Sequence, residues 1–130
     1  MKIGRYKLSN KNKPFLIAEI SGNHCGSLSL AKEHIIAAKE SGADAVKIQT
    51  YSAQTMTLDS KNKDFYIKAG RWKGQTLYDL YKKAETPFEW HQELFEYSRA
   101  KDITIFSTPF DETAVDLLQK LNTPVYKVAS

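Results

Sequence analysis

The stretch Ala45-Val46-Lys47-Ile48-Gln49-Thr50-Tyr51 constrains the fold more than any other part of the chain. Side chains alternate along a strand, so Val46 and Ile48 face one side and Lys47 and Gln49 the other. A segment of helical period precedes it and polar chain follows it, which marks an internal strand of an α/β fold. A lysine at such a position is costly to bury unless an anion meets it. Lys47 is therefore the first candidate for holding a phosphate or a carboxylate.

The pattern repeats on either side. Residues 15–20 are an apolar run of strand length with one carboxylate, Glu19, near its end, and residues 21–27 break it with turn-forming types. From Ser29 onward Leu30, Ala31, His34, Ile35 and Ala38 recur at three and four residues, and Gly42 stands where a helix-ending glycine belongs. Further on, Thr86-Pro87-Phe88-Glu89 reads as a capping box, with Thr86 as N-cap and Pro87 at the first helical position. That helix runs to about Arg99, with Trp90, Leu94, Phe95 and Tyr97 apolar. Residues 103–108 form a third strand closed by Pro109. Another helix sets Ala114, Val115, Leu117, Leu118 and Leu121 on one stripe, Asn122 and Pro124 end it, and residues 125–129 are a fourth strand.

Strands alternating with helices predict a parallel sheet with helices outside it. An open doubly wound sheet fits, and so does part of a (β/α)8 TIM barrel. Residues 21–27 lack a GxGxxG turn, which disfavours the nucleotide-binding version of the open sheet. A complete barrel takes about 250 residues, so on the barrel reading these 130 residues are its first half. Two sheet edges would then be unpaired, and self-association or poor solubility is expected.

Residues 52–86 are far longer than a usual βα connection and must carry structure or function of their own. Leu77, Leu80, Tyr81 and Ala84 give this insert a short amphipathic helix, and Lys61, Lys63, Lys68, Arg71 and Lys73 make its front basic. It leaves from the end of the Lys47 strand, so it should lie over that rim as a lid or partner-binding flap. A solvated basic face is the plainer reading.

A net charge of +4 and a pI near 9.1 suit an anionic small molecule. The lysines are scattered and no nucleic-acid motif accompanies them, so no nucleic-acid partner is expected. One cysteine, Cys25, excludes an internal disulfide and fits a reducing compartment. The first apolar run is too short for a signal core or a membrane span, so a cytoplasmic protein without a membrane partner is expected.

Glu19, Lys47 with Gln49, Ser107 with Thr108, and Lys127 with Ser130 each lie at or near the C-terminal end of a different strand, where α/β folds build their sites. Lys47 and Lys127 together would cradle an anion with hydroxyls beside them. Glu19 could bind a hydroxyl or move a proton, or simply form an ion pair with Lys47 or Lys127. Ser107 and Thr108 could equally be turn chemistry before Pro109. His24 and Cys25 are neighbours whose side chains point apart, which disfavours a catalytic pair. His34 and His91 fall within helices as scaffold or surface residues. Three scattered histidines make no metal motif.

These segments resemble a known family. Ile17-Ala18-Glu19-Ile20-Ser21-Gly22-Asn23-His24-Cys25-Gly26-Ser27 is similar to the opening motif of sialic acid synthases. The stretches Val46–Thr50, Phe106–Phe110 and Tyr126–Ser130 resemble its next three motifs, in order. Within the family, the insert is most similar to the pseudaminic acid branch, with the N-acetylneuraminic and legionaminic acid branches as alternatives. The resemblance implies a TIM barrel followed by a C-terminal antifreeze-like domain, in a homodimer. It implies condensation of phosphoenolpyruvate with an N-acetylated amino sugar, aided by a divalent metal (Mn or Mg) whose ligands fall outside this chain. Lys47, Thr108, Lys127 and Ser130 would contact phosphoenolpyruvate, and Glu19 and Gln49 would face the sugar. Asn23 and Phe110 join the substrate-binding candidates, and Glu19, Lys47 and Lys127 are the catalytic ones. Half a site is expected to be inactive alone, and a non-catalytic binding or assembly fragment is the other reading.

Overall fold

The computed structural model describes residues 2–4 and 6–129. Strands β1 (Lys2–Ile3) and β2 (Tyr6–Lys7) form a small antiparallel hairpin, in which Gly4 takes a φ of 55°. Then follow β3 (Ile17–Glu19), α1 (Leu28–Glu40), β4 (Ala45–Thr50), α2 (Ala53–Met56), α3 (Leu77–Ala84), α4 (Phe88–Ala100), β5 (Thr104–Pro109) and α5 (Glu112–Lys120). The hairpin was not foreseen, because two-residue strands are too short to show a period.

β4 is central in a sheet ordered β3-β4-β5, and both pairings are parallel, as expected. Glu19 stands opposite Lys47, Lys47 opposite Phe106, and Gln49 opposite Thr108. Val46, Ile48 and Ile105 pack from the sheet against Ile35, Leu94, Phe95 and Leu118 of the helices, all of them buried. Removing such side chains from water supplies about 1.5–3 kcal/mol each. On α5 Ala114 and Leu118 are buried as foreseen, but Val115 is exposed, because the helix lies on the sheet by a stripe too narrow to cover it.

Helices α1, α4 and α5 end in the same way. The residue after each C-cap is left-handed: Gly42 at φ 87°, Asp102 at 50° and Asn122 at 54°. In α1, Gly42 N donates to Lys39 O and Ala43 N to Ala38 O, both at 3.0 Å. The same crossed bonds recur at Asp102 with Ile103 and at Asn122 with Thr123. This double bond satisfies the last carbonyls and turns the chain sharply toward the following segment.

Two expectations are corrected. Helix α4 begins at Phe88 with Pro87 at its N-cap and no side-chain cap. Thr86 is buried instead, its hydroxyl 3.3 Å from Nε2 of His24, where satisfying a buried imidazole outweighs capping a helix end that water can reach. Residues 125–129 form no strand. Tyr126 alone bridges Ser107, with Lys127 N donating to Ser107 O at 3.1 Å. Pro124 offers no N–H, the segment pairs on one side only, and Val128 is 85% exposed, so the ladder does not extend.

The back of the insert is packed down rather than free. Gly22, in the 3-10 turn Ser21–His24, lies so close to the end of α3 that a Cβ there would stand 2.9 Å from Ala84 Cβ. Glu85 accepts a hydrogen bond from Ala53 N at 2.8 Å, tying the end of the insert to its start. Tyr51 is buried edge-on between Tyr81 and Phe110, with centroids at 6.0 and 5.5 Å. Burial, and then the Glu85 carboxylate, push its phenol up to about 12. The front of the insert closes as a hairpin through Ile67 N to Gln75 O and Gly74 N to Ile67 O, each 3.0 Å, and leaves Arg71, Trp72 and Lys73 exposed.

A polar seam crosses the core. His91 sits fully buried on α4, with Nδ1 3.0 Å from Pro87 O and Nε2 2.8 Å from Thr50 Oγ1. A carbonyl can only accept, so Nδ1 carries the proton and the neutral ring accepts from the Thr50 hydroxyl. Thr50 in turn lies 2.6 Å from Ser107 Oγ. Burial holds His91 below the ordinary histidine range, and burial with the nearby charge of His34 does the same to His24.

Gly22→Ala should lower stability by about 1–3 kcal/mol, since the new methyl meets α3 backbone as well as side chain, and Ala84→Gly in the same chain should recover part of that loss. Urea denaturation midpoints read both. The two histidines give a pH dependence. Their folded pKa values lie below the unfolded 6.5, so the unfolded chain takes up protons first. Stability should be fully present above about pH 6.5 and fall as pH drops below it, as a series of thermal melts from pH 8 to 5 would show.

Candidate functional site

The sheet has two unlike faces. One packs on the helices through Val46, Ile48 and Ile105, whereas the other carries Glu19, Lys47, Gln49 and Thr108. All four lie toward the carboxyl ends of their strands, and the alternation of β4 puts its two polar side chains there together.

Lys47 is the hub. Its side chain is only 15% exposed, and its ammonium forms an ion pair with Oε2 of Glu19, which is 42% exposed. It also lies 3.4 Å from the Thr108 hydroxyl. The other carboxylate oxygen of Glu19 accepts from Ser21 N at 3.1 Å. Gln49 joins through its amide oxygen, which accepts from the Ser21 hydroxyl at 2.7 Å. The ion-pair reading of Glu19 is therefore what the structure shows. In this arrangement the carboxylate orients the lysine and neutralises it, so an incoming anion must share or displace that contact.

The other candidates fall at different places. Ser107 does not accompany Thr108: it faces the helices, bonded to Thr50 and to Ile48 O at 3.1 Å, as strand alternation requires. Phe110 N donates to Thr50 O at 3.2 Å and its ring packs on Tyr51, so it shapes the rim through Tyr51. Asn23 is exposed on the 3-10 turn. Lys127 is exposed and follows the single Ser107–Tyr126 bridge, its N–H donating to Ser107 O, with no described contact to Lys47, Glu19 or Thr108. Ser130 lies outside the described residues. Sequence reading missed Ser21, which passes for a turn residue until its contacts to two strands are seen.

No group of three His, Cys, Asp or Glu side chains that could hold a metal occurs among the described residues. Glu19, the carboxylate at the rim, is already held by Lys47 and Ser21 N. The residues present thus do not fit a divalent-metal site. Among the described residues no helix is long and apolar enough to cross a membrane.

Parallel strands with outer helices, and polar groups gathered toward the carboxyl ends of the strands, are those of a partial (β/α) barrel. Residues 34–130 match the NeuB family, and the chain belongs to that family. It is 54% identical over 117 residues to a pseudaminic acid synthase of Helicobacter pylori, covering 90% of this chain and 34% of that protein. To the pseudaminic acid synthase of Campylobacter jejuni it is 46% identical over 130 residues, 100% of this chain and 37% of the relative. The chain thus spans about a third of the length of these curated relatives. A crystal structure of N-acetylneuraminic acid (sialic acid) synthetase from Leptospira borgpetersenii, in complex with citrate, superposes with a TM-score of 0.79 at 30% identity. That match covers 98% of this chain and 40% of the other.

Because Glu19 already neutralises Lys47, its removal should strengthen anion binding at the rim. Glu19→Gln is expected to tighten inorganic phosphate by roughly three- to tenfold, and Lys47→Met to abolish that binding, both by isothermal titration.

Proposed function

We propose that this chain supplies the phosphoenolpyruvate-holding part of a pseudaminic acid synthase. The observation that carries the reading is Lys47, shielded from water at the rim and bracketed by the Glu19 carboxylate and the Thr108 hydroxyl. A compact ammonium beside a hydroxyl suits a small, highly charged acid better than a neutral ligand. The similarity to two pseudaminic acid synthases supports the choice of reaction and of an N-acetylated amino sugar as second substrate.

In that reaction C3 of phosphoenolpyruvate attacks the open-chain aldehyde carbon of the sugar, the C=O pair moves to oxygen, and that oxygen takes up a proton. Positive charge then develops at C2, water adds there and loses a proton, and phosphate leaves by C–O cleavage as the ketone forms. Lys47 holds the anionic groups in place, and it is their negative charge, rather than the ammonium, that faces the positive charge developing at C2. In this reading Lys127 adds a second cation and Ser130 a hydroxyl. Thr108 donates to a substrate oxygen, and Gln49 faces the sugar. Glu19 keeps Lys47 in place before substrate arrives. The groups that bind a metal and the aldehyde, an antifreeze-like domain and a homodimeric partner belong, in this proposal, to chain other than the described residues.

The 130-residue chain should bind phosphoenolpyruvate weakly and release no phosphate when the amino sugar is added. Phosphate release by this chain alone would refute the division of the site. In the full-length gene product, Lys47→Met should lower kcat/KM for phosphoenolpyruvate by about a hundredfold or more. Undiminished turnover would remove Lys47 from the reaction.

A further inference from the structure

Ser21 occupies a backbone region that a residue with a side chain seldom enters. Its φ is 47°, one of four positive values among the described non-glycine residues. A left-handed serine carries a steric cost, which persists only where the surroundings impose it. Here the same residue makes two contacts to two different strands. Its N–H donates to Glu19 Oε1 at 3.1 Å, and its hydroxyl donates to Gln49 Oε1 at 2.7 Å. The turn that holds it is fixed from behind by Gly22 against Ala84 and by Cys25 N bonded to Gly22 O at 3.1 Å.

The second contact decides what Gln49 can offer. A glutamine side chain carries an acceptor oxygen and a donor NH2, and a freely rotating amide presents either. With the oxygen turned to Ser21, the NH2 group is left to meet a ligand. Two N–H donors in a fixed orientation select an acceptor oxygen and disfavour a ligand group that can only donate. The first contact leaves Glu19 with one oxygen for Lys47, so the lysine and the glutamine are set by one residue.

We infer that Ser21 is a positioning residue: its hydroxyl locks the Gln49 amide as a donor toward an acceptor oxygen of the sugar, such as an acyl-amino carbonyl, while its backbone holds Glu19 against Lys47. The inference rests on the reading under Proposed function for the identity of the ligand, and on the structure alone for the locking of Gln49.

Ser21→Gly separates locking from folding, because it removes the hydroxyl, keeps the N–H and relieves the strained φ. In the full-length gene product the melting temperature should be unchanged or higher. KM for the amino sugar should rise about tenfold, as expected for one lost hydrogen bond, with KM for phosphoenolpyruvate unchanged. Adding Gln49→Ala to Ser21→Gly should cost no more than Gln49→Ala alone. A wild-type sugar KM, or additive losses, would overturn the inference. In the 130-residue chain, 15N relaxation should show the Gln49 side-chain NH2 ordered in the wild type and mobile in Ser21→Gly. Equal order in both would overturn the locking whatever the enzyme assays give. A full-length wild type inert with phosphoenolpyruvate and the amino sugar would instead overturn the proposed function.

Discussion

Everything in this chain hangs from the register of β4 between its two parallel neighbours. Pairing Glu19 with Lys47 and Gln49 with Thr108 sets the polar side chains in adjacent rows, and the same register delivers Val46 and Ile48 to the helices. A slip of one residue would exchange the two sets, burying an ammonium among leucines and isoleucines and exposing the core. The cost of burying charge therefore works against the wrong pairing, and apolar burial works for the right one. Fold and rim are two results of one alternation.

The rim itself is a balance of charges more than a cluster of cations. Lys47 alone would be an unpaired charge in a partly dehydrated place, and Glu19 makes it tolerable before any ligand arrives. That arrangement has a cost for binding, because the carboxylate competes with an anion for the same ammonium. The 3-10 turn after β3 joins this balance to the insert, since Ser21 touches two strands while its neighbour Gly22 abuts α3.

Most of the architecture could be read from period and punctuation. Helix-spaced apolar residues, the glycine after α1 and the asparagine after α5 were sufficient for three strands and their helices, because each is a local signal. What escaped was decided by contacts between distant segments. Thr86 has the look of a cap, but His24 claims its hydroxyl across 62 residues. Ser107 reads as a rim hydroxyl, but its place in the alternation commits it to Thr50. Residues 125–129 have strand composition, but composition does not supply a second neighbour to pair with. At the rim, Lys47, Gln49, Glu19 and Thr108 were legible because strand ends are where polar residues have reason to interrupt apolar runs. Ser21 was not, since nothing about a serine in a turn announces a left-handed backbone or a bond to a glutamine 28 residues away.

The single thiol of the chain has a practical value. Cys25 is exposed and closes the same 3-10 turn, its own φ held at 49° and its N–H bonded to Gly22 O. A fluorophore or spin label attached there would sit four residues from Ser21 on a segment fixed to two strands and the insert. It would need no engineered cysteine and no removal of competing ones. The molecule thus carries a natural attachment point from which changes at its rim can be observed optically or by paramagnetic resonance.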